Sequence, residues 1–596
     1  MKRMTKSRIL CRVASKDGSS NRFLVPLHKL VPNVNLPDVD ESWSLGDVFT
    51  FELQDDQKGG FDAKNATLFA QAESPRARMC IFIERFDLLP FHSPSVMKEV
   101  EEFIKKPGFD DLALIDMTDR AFVTIDNLGS RDLDQALHIC PKKKDGFILS
   151  YALADGAYYV KPQSALFQEA LARGVTYYFP GFCLPMLPAA MSEGLVSLNP
   201  NVERRALVFV IELDKEAQVL DVKLKRAKIR SRAQLTYEGV QDYIDNPDGH
   251  ELSGRDFTET LDLLASFGEK RILLGRKRGV VDYNRYEVAI EAPTKSNKKF
   301  GLYLEERCDV SRWNEQVSLL CNAEGAKFLR HGDVPVEHVQ PVYRVHEKPS
   351  GEAFGHLRKF IQEFVSVHEL DESVWLWQPE QSIAEYLDNL PMGAKRAAIE
   401  RQVLITNQRS SFEAAPGPHH ALAVSEYSRF TSPMREIVGI FTHKEACEML
   451  GWQKQEGTDA EDEALREAVI EAANKAKMRH SQLTKEIFRL AVDDLFRCEM
   501  DVPFEERRVF VGTVLGMKET RLYVRLDSPP AEIKVYTDHL SEECGFKFKV
   551  SPGQAVAATE GDEFKLLAGE VVNLRVRGYD DRKDRWKLVP LLSKNE

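Results

Sequence analysis

Three carboxylates lie close together in one short stretch of the sequence, and their spacing suits metal binding. Residues 121–139, AFVTIDNLGSRDLDQALHI, place Asp126, Asp132 and Asp134 within nine positions. The apolar runs on either side predict two short strands joined by a turn. Acids at such a junction are costly to bury unless a cation offsets their charge, and oxygen ligands suit Mg²⁺ or Mn²⁺. The alternative is a solvated acidic loop.

Other catalytic signatures are missing from the sequence. It contains no G-x-G-x-x-G, Walker A, H-E-x-x-H or G-x-S-x-G motif, and its 14 histidines show no metal-ligand spacing. What remains is carboxylates, aromatic residues and an arginine, Arg435, in a TSPMR turn. Carboxylates that hold metal ions, with an arginine for developing phosphate charge, suit phosphodiester hydrolysis.

Composition restricts the class of protein. A chain of 596 residues, 43% hydrophobic and 29% charged, predicts about three to four soluble domains. No run approaches the roughly 18 apolar residues of a membrane helix, so we expect no membrane partner. Nine cysteines without a C-x-x-C pair argue against a zinc ribbon and for a reducing cytoplasm. A net charge of −12 argues against gross nucleic-acid affinity but allows a local basic channel.

The N-terminal part predicts a small β domain followed by a helical connector. Residues 1–75 contain short strand-like runs separated by turns, as in an OB or cold-shock barrel. Phe23, Phe49 and Phe51 are candidates for base stacking or, as the favoured alternative, for the core. Residues 76–114 predict the connector, with a helix that ends at Pro107 and Gly108.

The C-terminal part, residues 502–596, predicts a second OB barrel. Five strand-like runs cover about 90 residues, as a five-stranded OB fold requires. Arg575 and Arg577 lie among the basic residues near its last strands and are candidates for RNA binding. Tyr523, Tyr536 and Trp586 are candidates for stacking on bases. The alternative is a solvated charged face over an aromatic core.

Residues 115–500 predict a mixed domain between the two barrels. Two runs, ALVFVIEL and VLDVKLKRAKI, predict a β-hairpin, and a long helix is predicted from about Glu463 to Phe496. The expected fold class is therefore α+β and multidomain, with a central mixed sheet surrounded by helices and a small all-β OB-fold barrel on each side.

Five segments of this central part resemble one family in the same order. FVTIDNLGSRDLDQAL resembles the catalytic signature of the ribonuclease II family, whose catalytic domain is called RNB, and YALADGAYYV follows as expected. The segments TYYFPGFCLPMLPAAMSEGLVSLNP, SRWNEQVSLLCNAEGAKFL with PVYRVHEKP, and HHALAVSEYSRFTSPMRE are similar to further family motifs.

The resemblance implies an enzyme that hydrolyses single-stranded RNA from its 3′ end to nucleoside 5′-monophosphates by a two-metal mechanism with Mg²⁺. Whether Mn²⁺ replaces it is left open. Asp126, Asp132 and Asp134 match three of four catalytic, metal-binding acids, and Arg435 matches the arginine at the scissile phosphate. Tyr178 matches the aromatic that stacks on the 3′-terminal base. Tyr283 is the candidate for a second stacking residue, and Glu315 matches an acid near the RNA path.

The sequence departs from the family pattern at several of these positions. Gln135 replaces the fourth acid, where its carbonyl oxygen still offers a neutral metal ligand, and Asn127 or Asp155 could compensate for the lost charge. Glu436 stands where the family has a second basic residue.

Three functions are therefore compatible with the sequence. The favoured one is the exoribonuclease, acting as a cytoplasmic monomer on single-stranded RNA. The second is an RNA-binding protein on an RNB scaffold with weakened catalysis, marked by Gln135 and Glu436. The third is a metal-dependent nuclease of other polarity or one that acts on DNA.

Overall fold

The computed structural model describes residues 7–16, 21–28, 33–143, 145–281, 287–293, 299–331, 339–455, 457–545, 547–559 and 564–591. Its strands are β1 Arg8–Ser15, β2 Arg22–Pro26, β3 Val34–Asn35, β4 Val48–Asp55, β5 Phe61–Ala70, β6 Ile115–Asp116, β7 Phe122–Asp126, β8 Gln135–Pro141, β9 Phe147–Ala154, β10 Tyr177–Phe179, β11 Phe182–Leu184, β12 Glu203–Leu213, β13 Val219–Thr236, β14 Glu287–Glu291, β15 Gly301–Glu305, β16 Tyr343–Val345, β17 Ser411–Glu413, β18 Phe510–Lys518, β19 Arg521–Leu526, β20 Ala531–Tyr536, β21 Phe548–Val550, β22 Val556–Thr559, β23 Lys565–Leu567, β24 Val571–Asp580 and β25 Arg585–Pro590. Its α-helices are α1 Pro75–Arg85, α2 Pro94–Lys105, α3 Ala165–Arg173, α4 Tyr237–Asp245, α5 Thr258–Lys277, α6 Asp309–His331, α7 Gly351–Val367, α8 Glu372–Trp375, α9 Ile383–Asn389, α10 Ala394–Thr406, α11 Ile437–Met449, α12 Asp459–Arg497 and α13 Thr537–Cys544.

A six-stranded mixed sheet forms the centre of the molecule, in the order β12-β9-β8-β7-β13-β6. The predicted hairpin is present as the antiparallel pair β12 and β13, and β13 continues far enough to pair in parallel with β7. Successive side chains along β7 and β9 enter opposite apolar cores, because neighbouring residues of a strand point to opposite faces. The sheet is therefore buried on both faces.

The N-terminal β domain has five strands in the order β2-β1-β4-β5-β3. Phe49 and Phe51 are buried in its core, where Trp43 stacks on Phe49 at 4.1 Å between ring centroids. Phe23 is 46% exposed and remains the candidate for base stacking in this domain.

The C-terminal domain contains the five predicted strands in the order β20-β19-β18-β24-β25. The same domain contains a second, three-stranded sheet, β21-β22-β23, which was not predicted from the sequence. Contrary to the prediction, Trp586 is not accessible for stacking on bases. Its side chain is 8% exposed, and its Nε1 donates a hydrogen bond to Asp493 on α12 at 2.7 Å. Tyr523 lies under the guanidinium of Arg401, which is 4.1 Å from the ring centroid.

Two helical features fix this barrel to the central domain. Helices α7 to α10 share one apolar cluster with residues of the barrel, Ala555 and Ala568. Helix α12 begins with a capping box of Thr458 and Glu461 and spans 39 residues, as the long predicted helix required. Within the described residues, no helix has the length and apolar character needed to cross a membrane.

Candidate active site

The three predicted acids gather where β7 ends and β8 begins. Asp126 is the last residue of β7, and Asp134 immediately precedes β8. The loop between them turns at Gly129, whose φ of +85° favours glycine. Ser197 fixes the far end of the loop, because its Oγ accepts the Leu133 amide proton at 3.0 Å and donates to the Arg131 carbonyl at 2.9 Å.

Asp134 is buried and already bonded to the TSPMR turn, 300 positions away in sequence. Its side chain is 1% exposed, its Oδ1 accepts the Met434 amide proton at 2.9 Å, and its Oδ2 accepts from Nε of Arg435 at 2.6 Å. Burial raises the pKa of Asp134 to about 7, even though Arg435 acts in the opposite direction. The fold therefore brings the predicted acid and the predicted phosphate-binding arginine into direct contact.

Asp126 and Asp132 complete the group, and Tyr178 lies beside them. Oδ2 of Asp126 is buried and has no hydrogen-bond partner among the described residues, and burial raises the pKa of this carboxyl to about 6. Oδ2 of Asp132 accepts from the hydroxyl of Tyr178 at 3.3 Å. Tyr178 is 44% exposed on β10, so its ring is accessible. An orphaned carboxylate oxygen in a buried acidic group fits a cation ligand.

Gln135 faces the same centre from the start of β8. Its Nε2 donates to the carbonyl of Thr431, which leaves Oε1 as the atom that can reach a ligand. Asn127 is exposed and lines the adjoining cavity. The expectation for Asp155 is wrong, because this fully buried carboxylate is bonded to Arg205 and Arg226, whose Nε atoms lie 3.2 and 2.8 Å from its Oδ2.

A cavity of about 400 Å³ extends from this centre to helix α6. Gln135, Thr431 and Arg435 line its inner end, and Asn314 and Glu315 line the side formed by α6. Glu315 accepts from Nη2 of Arg307 at 2.7 Å. Glu315 therefore faces the cavity that adjoins the acidic centre, and its role beside a bound RNA strand stays a prediction.

Arg429 also lines this cavity, and it was not among the residues predicted from the sequence. It forms a forked ion pair with Glu436, in which Nε lies 3.1 Å from both carboxylate oxygens and Nη2 lies 2.8 Å from Oε1. Burial alone would raise the pKa of Glu436, but Arg429, followed by Arg344 and Arg435, outweighs burial and lowers it. The sequence did contain a signal for this pair. Glu436 is acidic where the family has a basic residue, and Arg429 lies seven positions before it, on the other side of the same turn.

A second acidic group lies elsewhere and contains none of the predicted acids. Glu445, Glu448 and Asp462 surround Nζ of Lys444, which lies 2.7, 2.9 and 2.6 Å from their oxygens. The lysine ammonium supplies the positive charge at its centre. This group is therefore a buried ion network and not the predicted metal site.

The remaining predicted RNA-binding residues lie far along the chain or outside the described part. Arg575 and Arg577 approach the ring of Phe504, with guanidinium carbons 5.5 and 4.5 Å from its centroid. Arg575 also lies 3.6 Å from Glu505, and Arg577 lies 3.4 Å from Glu543. Tyr283 lies outside the described residues. The roles assigned to these residues stay predictions.

Comparisons with known proteins agree on one family. The family profile described as the RNB domain matches residues 114–450. Ribonuclease R of Escherichia coli (strain K12) is 25% identical over 513 residues, which cover 84% of this chain and 61% of that protein. The chain thus spans less than two thirds of that relative's length.

Solved structures show the same fold. Mycoplasma genitalium RNase R in complex with ribose-methylated single-stranded RNA superposes with a TM-score of 0.79 at 17% identity, covering 98% of this chain and 90% of that one. Yeast Ssd1, described as a pseudonuclease, superposes with a TM-score of 0.60 at 15% identity, covering 98% of this chain and 69% of that one. The fold alone therefore does not decide between an active nuclease and an inactive one.

Proposed function

This chain belongs to the RNB domain family, and we propose that it is a divalent-metal-dependent exoribonuclease. It hydrolyses single-stranded RNA from the 3′ end and releases nucleoside 5′-monophosphates. We further propose that it acts as a monomer in a reducing cytoplasm. The described cysteines are all free, which agrees with such a compartment.

One observation carries this proposal. The contact between Asp134 and Arg435 joins the two motifs that the chemistry requires, and Asp126, Asp132 and Tyr178 lie around it. A buried acid with a raised pKa and a specific charge partner is typical of a functional site.

The acids present fit a divalent cation. Asp126 and Asp132 have open oxygens, and Gln135 adds a neutral carbonyl oxygen, so these three residues would hold it. Asp134, also predicted as a ligand, lies beside them with its two oxygens bonded to Met434 and Arg435. Mg²⁺ is the expected ion and Mn²⁺ the alternative, because both prefer oxygen ligands. When bound, such an ion neutralises phosphate charge and lowers the pKa of a coordinated water.

The residues of the chain do the rest of the work. The Arg435 guanidinium is positioned by Asp134, and its remaining donors can bind the scissile phosphate as negative charge develops. The exposed ring of Tyr178 can stack on the 3′-terminal base and hold the leaving nucleotide. Asp132 orients that ring through the phenolic hydroxyl. Together these contacts fix the terminal phosphodiester beside the acids.

A second candidate function is an RNA-binding protein with weakened catalysis. The observation in its favour is Gln135, which contributes no charge to the acidic group, and a fold-mate described as a pseudonuclease shows that this fold tolerates loss of activity. Glu436, by contrast, does not count toward this candidate, because the structure gives it a defined partner in Arg429.

The test uses a 5′-labelled unstructured oligoribonucleotide of about 30 nucleotides. The protein is incubated with it in Mg²⁺, in Mn²⁺ or in chelator, with the Asp134→Asn variant and an oligodeoxyribonucleotide as controls. A metal-dependent ladder that shrinks from the 3′ end, with mononucleotide product, supports the exoribonuclease. RNA that is bound but left intact at enzyme excess supports the second candidate, and degradation of the DNA strand contradicts recognition of the 2′-hydroxyl.

A further inference from the structure

We propose that Arg429 binds the RNA phosphate adjacent to the one that is cleaved, on its 5′ side, and that Glu436 holds the Arg429 guanidinium in position. The inference rests on the proposed exoribonuclease function and extends it. Arg429 is thus a substrate-binding residue, and Glu436 is a positioning residue that acts through it.

The ion pair uses only one edge of the Arg429 guanidinium. Nε and Nη2 point to the carboxylate of Glu436, whereas Nη1 contacts no acceptor in the part of the chain that the structure describes. The side chain is 25% exposed and lines the same cavity as Arg435. A guanidinium that binds a carboxylate through Nε and Nη2 still has the donors of Nη1 available to bind a second oxyanion.

The surrounding charges favour an anion at this position. Arg344 and Arg435 both lie near enough to Glu436 to lower its pKa together with Arg429. Glu436 can offset only one of these positive charges, and Asp134 contacts Arg435. Glu238, Glu305, Glu306 and Glu315 line the rest of the cavity, where Arg307 is paired with Glu315, so the positive charge is confined to the end formed by Arg429 and Arg435. A phosphate fits that end of the cavity and not the acidic end.

The position of Arg429 along the cavity selects the neighbouring phosphate and not the scissile one. Arg435 contacts the acidic group directly, but Arg429 contacts none of the three predicted acids. Its connection to the acidic centre is indirect: two residues further along the chain, the Thr431 carbonyl accepts a hydrogen bond from Gln135. Tyr178 lies on the Asp132 side and does not line this cavity. The leaving nucleotide therefore occupies the Tyr178 side, and the rest of the strand passes Arg429.

The test combines a change in the RNA with a change in the protein. Each oligoribonucleotide carries one neutral methylphosphonate linkage. This linkage lies either directly 5′ of the terminal linkage or six linkages further upstream. A 2′-O-methyl group is placed at one fixed nucleotide, which is the same in every oligonucleotide. Binding is measured in chelator, so that turnover does not interfere. We expect the neutral linkage next to the terminal one to weaken binding to the unmodified protein about 10-fold. The same linkage should weaken binding to Arg429→Gln less than about 2-fold, because the contact is already lost.

The controls separate a substrate contact from a structural ion pair. The upstream methylphosphonate should weaken both proteins equally, and Arg466→Gln, which removes an ion-paired arginine of α12, should behave as the unmodified protein does. If Arg429→Gln does not fold, Arg429→Lys takes its place in the same comparison and is expected to restore part of the difference. Equal losses for the unmodified and variant proteins at the neighbouring linkage would overturn the role of Arg429. If the losses are equal but the unmodified protein still binds and hydrolyses RNA, only the role of Arg429 is refuted and the proposed exoribonuclease function is not. If the unmodified protein does not bind RNA at all, both proposals are refuted.

Discussion

Replacing Gln135 by aspartate should tighten divalent-metal binding, because it restores a charge that the centre lacks. A new carboxylate about 4 Å from a divalent ion gains about 2 kcal/mol at the dielectric constant of water and about 8 kcal/mol at an effective value near 20. Repulsion from Asp126 and Asp134 and the lost hydrogen bond to the Thr431 carbonyl are the same with and without the ion, so they lower the stability of the variant and not its metal affinity. Because the site opens onto a cavity, we expect a gain near the lower end, about 2 to 3 kcal/mol, or roughly 30- to 100-fold in the metal dissociation constant.

Isothermal titration with Mg²⁺ and Mn²⁺ measures this change without RNA or turnover. Gln135→Asn is the matched control, because it shortens the side chain to the same length as aspartate without adding charge. Metal-free Gln135→Asp should also unfold at a lower temperature than Gln135→Asn, since its carboxylate then faces two acids without a cation. Equal metal affinities for the two variants would refute the placement of the ion beside Gln135.

Four further outcomes are expected. Asp134→Asn should reduce hydrolysis by at least about 100-fold in single-turnover assays and leave RNA affinity within a few-fold, because it disturbs the positioning of Arg435; similar turnover in both proteins would show that the site is misassigned. Tyr178→Ala should weaken binding of short oligonucleotides about 10- to 100-fold, as loss of one stacked base predicts, whereas Tyr178→Phe should bind normally. The metal-free protein should lose stability between about pH 4 and pH 7 in thermal denaturation, because Asp126 and Asp134 have pKa values of about 6 and about 7 and bind protons more tightly when folded; Asp126→Asn should flatten this slope. Lys444→Met should destabilise the fold by about 3 to 5 kcal/mol in urea unfolding, because it leaves buried carboxylates without their cation, and the surface variant Lys327→Met should change little.

The longer strands of the fold could be predicted from the sequence, because their side chains alternate between apolar and polar. Alternating apolar residues and turn formers identified β12 with β13 and the five strands of the C-terminal barrel. The three-stranded sheet of the same domain was missed, because its strands are only three or four residues long. Trp586 was misplaced for a related reason, since a strand pattern shows that a face is apolar but not which distant helix covers it.

The acidic centre was predicted only in part. The family motifs pointed to Asp126, Asp132, Asp134, Arg435 and Tyr178, and the structure brings these five residues together. Asp155 lies at the end of a strand, as Asp126 does, yet it belongs to a buried network with two arginines. Whether an acid at a strand end faces a ligand or an arginine depends on residues that lie far away in sequence.

The sequence by itself determined the identity and order of the chemical groups and the elements that carry them, because strand periodicity, turn residues and motif spacing are local properties. The tertiary structure alone decided which charges meet. It joined Asp134 to Arg435 across 301 positions, enclosed Lys444 with three acids and paired Glu436 with Arg429. Glu436 shows the reason most clearly: in the sequence its negative charge marks a departure from the family pattern, but once folded it holds an arginine toward the cavity. The effect of a charge depends on its distance from other charges and on its burial, and both are set only when the chain folds.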